Sequence, residues 1–450
     1  MCQKIQMKCL AAILMLALSA TTQAETPVVE WTRQLGTSSN DYGHGVSVDG
    51  SGNAYVTGWT YGGLDGSTNA GRIDIFLTKY DTAGIKLWTR QWGSVGHDIG
   101  HGVSVDGSGN AYVTGYTTGG LDGNTSEGDW DIFLTKYNTA GTKLWTRQLG
   151  TRSNEYGYDV SVDGSGNAYV TGYTEDGLDG NTHSGASDIF LAKYDTDGIK
   201  LWTQQLGTAR RDHARNVSVD GSGNAYLTGG TTGGLDGNTS EGDWDIFLTK
   251  YNTVGTKLWT RQLGSDESDS GYGVSVDGSG NVYVTGYTEG ALDGNTSAGS
   301  YDMFLIKYNS DGAKLWTQQL GTASDDGGSD VSIDGNDNVY VAGRTEGCLD
   351  GNSSEGDCDI FLTKYDRNGT KLWTKQLGSD EWDSGLEVSV DGRGNAYITG
   401  LTYGSLGDNT NAGGEDMFLV KISTIPEPGS IAMLAVIALT TLLYRKRKQV

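Results

Sequence analysis

One period governs this chain. A Trp opening "WT(R/Q/K)Q" stands at positions 31, 88, 145, 202, 259, 316 and 373, and each step is 57 residues. The Asp of "(V/I)DG" keeps that step through 49, 106, 163, 220, 277, 334 and 391. So does the Asp opening "DIFLTKY" or its variants, at 74, 131, 188, 245, 302, 359 and 416. Three independent markers count seven copies with no insertion. Such a repeat unit cannot bury its apolar surface alone and must pack on its neighbours.

Each period reads as four strands. In the first copy, strand a is "GVSVD" (45–49), strand b "NAYVTG" (53–58), strand c "DIFLTKY" (74–80) and strand d "LWTRQ" (87–91). The a–b and c–d connections, "GSG" and "DTAGIK", are short and carry Gly, as antiparallel hairpins require. The b–c and d–a connections are longer. Abundant Gly (71 residues), with Trp and Tyr far exceeding Phe, suits many short strands joined by tight turns. The only prolines, Pro27, Pro426 and Pro428, lie outside the repeats, so every repeat residue can donate a ladder hydrogen bond.

A four-stranded unit repeated seven times predicts an all-β, seven-bladed β-propeller with four antiparallel strands per blade. The phase of the repeat sharpens this. The chain opens on a strand d (31–36) with no a, b or c before it, and closes on a, b and c (387–422) with no d after them. The N-terminal strand is therefore expected to complete the last blade and close the ring.

Both ends read as address labels. Residues 1–24 hold an apolar run, Leu10 to Ala20, and end in "TTQA", a signal-peptide pattern with cleavage after Ala24. A short lead-in (25–30) precedes the propeller (31–423), and 424–450 form a tail. Its apolar stretch, Ile431 to Leu443, is 13 residues, short of the roughly 20 that span a bilayer as a helix. The formal net charge is −24, and the basic residues at the two ends make the body more acidic still. That disfavours nucleic acid and anionic membrane surfaces, which need clustered Lys and Arg. Cations, neutral polysaccharide and basic protein surfaces remain open.

The stretch "GTSSNDYGHGVSVDGSGNAYVTG" (36–58) resembles the bacterial seven-bladed β-propeller (SBBP) repeat family, and the resemblance extends over about 31–423. It implies the fold; members of this type mostly lack an assigned biochemical activity. The tail, with Pro426-Glu427-Pro428, a short apolar helix and the basic cluster 445–448, resembles the PEP-CTERM sorting signal. That resemblance implies an exosortase-type processing enzyme as partner. It also implies export to the envelope, outer surface or extracellular matrix of a Gram-negative bacterium, with membrane contact only through the C-terminal segment.

Candidate sites divide by repeat position. "DGSGN" (49–53) alternates oxygen-bearing side chains as calcium loops do, but lacks their continuation and reads as a hairpin turn. The acids heading strand a (Asp41, Asp98, Glu155, Asp212, Asp269, Asp326 and Asp383) either ring the channel mouth or satisfy backbone donors of their own loops. The second reading is preferred. The b–c loops are the strongest functional candidates. Copies two, four and six each offer four oxygen ligands suited to Ca²⁺: Asp122, Asn124, Glu127 and Asp129; Asp236, Asn238, Glu241 and Asp243; Asp350, Asn352, Glu355 and Asp357. The competing reading is a solvated polar loop. Trp130 and Trp244 follow two of these loops and offer flat faces to a sugar ring, or else pack on the next blade. Cys348 and Cys358, at the two ends of the copy-six loop, read as a disulfide in an exported protein. The five His (44, 97, 101, 183 and 213) fall in four repeat columns and suggest neither a metal cluster nor a nucleophile–base pair.

The copies otherwise differ mostly in loop decoration, and no carboxylate stands out from its six equivalents. The expectation is an exported, non-enzymatic propeller acting as a binding or structural module. Its partners would be extracellular polysaccharide or another surface protein, through the face carrying the b–c and d–a loops. The alternatives are a lyase or hydrolase acting on polysaccharide, and a calcium-stiffened matrix protein.

Overall fold

The computed structural model describes residues 25–426. The signal segment with Ala24, and the sorting segment with Glu427 and Pro428, lie outside the described residues; Pro426 ends the last strand. Residues Val29–Ser423 form one compact unit. It holds seven four-stranded sheets, each with spatial order a-b-c-d. Blade 1 is Asp41–Val48, Ala54–Thr60, Asp74–Tyr80 and Lys86–Trp92, and the next five blades repeat it. Blade 7 pairs Asp383–Val390, Ala396–Thr402 and Asp416–Pro426 with the N-terminal strand Glu25–Leu35, which supplies its strand d. The expected closure is what the structure shows. One boundary differs: the lead-in is already strand from Glu25.

The core is a ring of seams rather than one centre. Tyr55, Ile75 and Leu77 of blade 1 pack against Val103, Val113 and Phe133 of blade 2, and the pattern recurs around the ring. Strands b and c are covered on both faces by neighbouring blades, which is why strand c is buried along its whole length. At the closing seam Val46, Val56 and Phe76 of blade 1 meet Tyr397, Met417 and Leu419 of blade 7, with Trp31 alongside.

Polar stitches cross the seams at the same places. Trp88 Nε1 donates to the Thr139 carbonyl in the next blade at 3.3 Å, and Arg90 Nε to the Gly141 carbonyl at 2.7 Å. Tyr55 Oη donates to the Gly109 carbonyl at 3.0 Å. The closing seam repeats all three: Trp31 to Thr82 (3.3 Å), Arg33 to Gly84 (2.7 Å) and Tyr397 to Gly52 (3.2 Å). The "DGSGN" turn is structural, as expected. Asp49 accepts the Ser51 and Asn53 backbone N–H groups, both at 2.9 Å, and Gly52 takes φ = 84°, a region open to glycine.

Candidate functional site

Every strand a carries a β-bulge at the same point. In blade 1 Gly43 pairs with Gly58 and Gly45 with Thr57, leaving His44 without a cross-strand partner. The extra residue re-aims the strand, so that in several blades two consecutive side chains face the ring axis. At the first of these positions the copies read His44, His101, Tyr158, Arg215, Tyr272, Ser329 and Leu386. At the second they read Gly45, Gly102, Asp159, Asn216, Gly273, Asp330 and Glu387. The next three residues are Val-Ser-Val in six copies and Val-Ser-Ile in copy six, at 331–333. The repeat is nearly invariant along the lower channel and broken at the bulge.

The broken columns line a cavity of about 230 Å³, joined by Tyr287 and Arg344 from the strand-b ends nearest the b–c loops. Three carboxylates enter it from three blades. Each also braces the neighbouring strand a: Asp159 accepts from Val217 N–H (3.0 Å), Asp330 from Val388 N–H (3.1 Å) and Glu387 from Val46 N–H (3.2 Å). This bracing does not require charge. Asn216 does the same with its amide oxygen toward Val274 N–H at 3.1 Å, and Gly45, Gly102 and Gly273 omit the side chain altogether.

The electrostatics of the cavity follow from burial. Desolvation holds the Asp159 and Asp330 carboxyls well above the usual carboxylate range, and repulsion from Asp159 adds to the effect at Asp330. Glu387 is raised by burial and then by both aspartates. Burial drives His44 down to about 4 and takes His101 well below its ordinary value, so both imidazoles are neutral at pH 7. Their rings lie 4.5 Å apart, and His101 Nε2 is shut from solvent without a hydrogen-bond partner. The Arg215 guanidinium sits over the Tyr158 ring at 4.7 Å and the Tyr272 ring at 5.6 Å. No ion pair joins it to the three acids among the described residues.

The residues singled out from sequence fall elsewhere. Asp122, Asp236 and Asp350 are turn residues with φ of 52°, 56° and 52°, a conformation Asp tolerates better than most. Their carboxylates hold the lysine that begins strand d: Lys143 lies 2.6 Å from Asp122 and Lys257 2.5 Å from Asp236, while Lys371 and Thr374 take Asp350. Asn124, Asn238 and Asn352 donate to the carbonyls of Leu121, Leu235 and Leu349 at 2.7–2.8 Å. Glu127, Glu241 and Glu355 contribute their backbone N–H to the acid heading strand c, each at 2.9 Å, and their side chains are exposed. Asp129, Asp243 and Asp357 are exposed as well. The loops thus do not gather the proposed ligands: among the described residues no group of three His, Cys, Asp or Glu is arranged to hold a metal ion.

Trp130 packs against Tyr116 (5.0 Å between centroids) and Tyr156 (6.2 Å), and Trp244 against His213 (5.3 Å). Both are half-buried parts of an aromatic band beside the axial cavity, which it meets through the 5.2 Å contact of His101 with Tyr116. The strand-a acids are fully buried, and Asp41 accepts from Thr37 N–H (2.6 Å) and Thr37 Oγ1 (2.9 Å), and from Thr60 Oγ1. They brace the d–a loops, as preferred from sequence.

Three expectations are corrected. Cys348 and Cys358 are not bonded: Cys348 is exposed at the start of a 3-10 turn, whereas Cys358 is buried and bridges to Trp382 of the next blade. A nucleophile–base contact does form, Ser187 Oγ to His213 Nε2 at 2.8 Å, but Ser187 is only 3% exposed and lies outside the lining of the axial cavity. And loop decoration is not most of the difference that matters: in the bulge columns Asp159, Asp330 and Glu387 do stand out from their equivalents. The divergent axial columns were visible once the seven copies were aligned by period. Their role is not legible from the letters, because a β-bulge, which makes adjacent residues face one way, leaves no mark in a strict alternation pattern.

Fold and site together define a seven-bladed propeller whose symmetry is broken at an axial pocket. The chain belongs to the SBBP beta-propeller repeat family, whose pattern matches at 30–65, 87–122, 144–178, 201–236, 258–292, 315–347 and 372–407. It is similar to the regulatory protein FlaEY of Caulobacter vibrioides, 27% identical over 355 residues, which cover 66% of this chain and 37% of FlaEY. The chain therefore spans little more than a third of that relative. Among solved structures it is similar to a gluconolactonase of Xanthomonas campestris (14% identity, TM-score 0.36, covering 72% of this chain and 88% of that one). It is also similar to the calcium-binding protein regucalcin of Agrobacterium tumefaciens (13% identity, TM-score 0.37, covering 72% and 90%).

Proposed function

We propose that the protein is an exported, non-enzymatic binding module whose ligand enters the axial pocket from the face carrying the b–c and d–a loops. The carrying observation is the polar variety of the two bulge columns where they line one cavity, beside the near-invariant Val-Ser-Val that follows them. A ring that needs only stability can repeat Gly or Asn there seven times, whereas a pocket for one ligand needs different groups at different points. The volume, about 230 Å³, lies below the roughly 300–1,000 Å³ of pockets for drug-sized molecules, so the ligand or the recognised end of it is small. Arg215 and the His101 ring offer donors, the carboxyls offer acceptors, and Tyr158 and Tyr272 offer ring faces. This set suits a hydroxyl-rich group such as the end of an extracellular polysaccharide, and the signal-like and sorting-like ends support an address at the cell surface or in its matrix.

A glycan array followed by calorimetry tests the reading. Binding should fall at least about tenfold, or 1.4 kcal/mol, in Tyr158→Ala and stay unchanged in Glu127→Gln on the b–c loop. Binding that ignores the axial substitution, or none across the array, overturns it.

One observation favours a second reading. Carboxyls that keep their protons near neutral pH in one cavity are the material of general acid–base chemistry. Release of shorter products from polysaccharide, lost in both Asp330→Asn and Glu387→Gln, would replace the binding assignment with a hydrolase or lyase.

A further inference from the structure

The three axial carboxylates are more charge than the fold uses. Asn216 performs the same bracing without charge, and three glycines omit it. Asp159 and Asp330 are 7% and 6% exposed, yet no Lys, Arg or His forms an ion pair with either, or with Glu387, among the described residues. The interior cation, Arg215, lies over two tyrosine rings, and the rim cation, Arg344, is exposed and lies 6.0 Å over Trp382. His44 and His101 are neutral and bring no compensating charge. Burying unpaired carboxylates costs several kcal/mol each unless they hold protons or meet a cation; no cation of the ring meets them among the described residues, so protons fill that place until a cation arrives.

A bare metal ion does not fit this layout, since no three acidic or imidazole ligands are arranged to share one among the described residues. An organic cation does. It spreads several N–H donors over a wider span, and Tyr287 adds an aromatic wall to those of Tyr158 and Tyr272 for its charged or apolar parts. Resting on the binding reading above, we infer that the axial pocket recognises an ammonium group, with Asp159, Asp330 and Glu387 as its counter-ions, so that the ligand is a small amine such as an aminated sugar. The proton affinity of the cluster adds a consequence. Near pH 7 the arriving cation displaces protons from the three carboxyls: of the groups facing them, Arg215 is held in its charged form by the neighbouring tyrosines, burial keeps the two imidazoles neutral and raises Tyr287, and Arg344, Tyr158 and Tyr272 complete the lining.

The test is calorimetric titration of the full propeller with glucosamine, galactosamine, putrescine and agmatine, beside glucose and galactose as uncharged twins. At least one amine should bind ten times or more tightly than its uncharged counterpart, with proton release measured by comparing two buffers of different ionisation enthalpy. The double variant Asp330→Asn, Glu387→Gln keeps acceptors for both backbone braces, and its fold is checked by its thermal midpoint. It should lose at least tenfold in amine affinity, and Asn216→Asp should gain affinity. Amine binding that survives the double variant unchanged overturns the inference, as does binding with no proton release. Uncharged sugars binding as well as amines, with both lost in Tyr158→Ala, overturn it while leaving the binding reading intact. If neither series binds, both fall.

Discussion

The ring is sealed by a strand from the opposite end of the chain, and the energy of that seal can be weighed against an ordinary seam. Trp31 closes blade 7 onto blade 1, and Trp145 locks blade 2 onto blade 3. Their surroundings match almost atom for atom. Each indole donates to a threonine carbonyl at 3.3 Å and meets a tyrosine edge at 6.0 Å, with an arginine over its ring at 5.2 Å. Each also lies against a left-handed glycine, Gly84 or Gly198. Both indoles are half-buried. Truncating a fully buried Trp costs about 3–5 kcal/mol, so half-burial leaves about 2, and the lost hydrogen bond adds about 1. Trp31→Ala and Trp145→Ala should therefore each cost about 3 kcal/mol in urea unfolding, within about 1 kcal/mol of each other. A closed ring requires this equality, since every seam must open for the protein to unfold. If Trp31→Ala costs under about 1 kcal/mol while Trp145→Ala costs the full amount, the N-terminal strand does not seal the ring and the closure argument fails.

Other outcomes follow from the buried acids and thiols. The axial carboxyls keep protons in the folded chain at pH values where the unfolded chain has lost them. Their contribution is therefore fully present below about pH 4 and is lost as pH rises through the neutral range. Stability should fall from pH 5 to pH 9, and Asp330→Asn should flatten that slope, gaining more than about 1 kcal/mol over the parent at pH 9, since a tenfold change in proton affinity is worth about 1.4 kcal/mol. An unchanged slope would refute it. Asp41→Ala strands the Thr37 N–H and two hydroxyls and should cost about 2–4 kcal/mol in thermal or urea unfolding, with Asp41→Asn recovering part of it. Alkylation without reductant should label Cys348 in the native protein and Cys358 only after denaturation, because burial also pushes the Cys358 thiol up to about 12. An unreduced peptide two hydrogens lighter would instead establish the disulfide.

Much of the architecture was legible in the letters. The step of 57 and the phase of the first and last copies implied seven blades and their closure, because both are properties of order along the chain. The site was less legible. Asp122 and its equivalents looked like metal ligands because carboxylates close in sequence are easily counted, yet Lys143 and Thr146 reach across from strand d to occupy that side chain. Cys348 and Cys358 looked paired because they appear together, while the register of the blade turns Cys358 into a seam.

The sequence alone determined the number of blades, the hairpin at each "DGSGN" and the strand that closes the ring, since periodicity and turn chemistry are local and repeat with the chain. Only the tertiary structure decided which residues form the site. Asp159, Asp330 and Glu387 stand in blades 3, 6 and 7, three periods and then one period apart along the chain, and they share a cavity because the ring brings every strand a to one axis. There the bulge adds a side chain to the axial face, and burial with mutual repulsion gives ordinary carboxyls an altered hold on their protons.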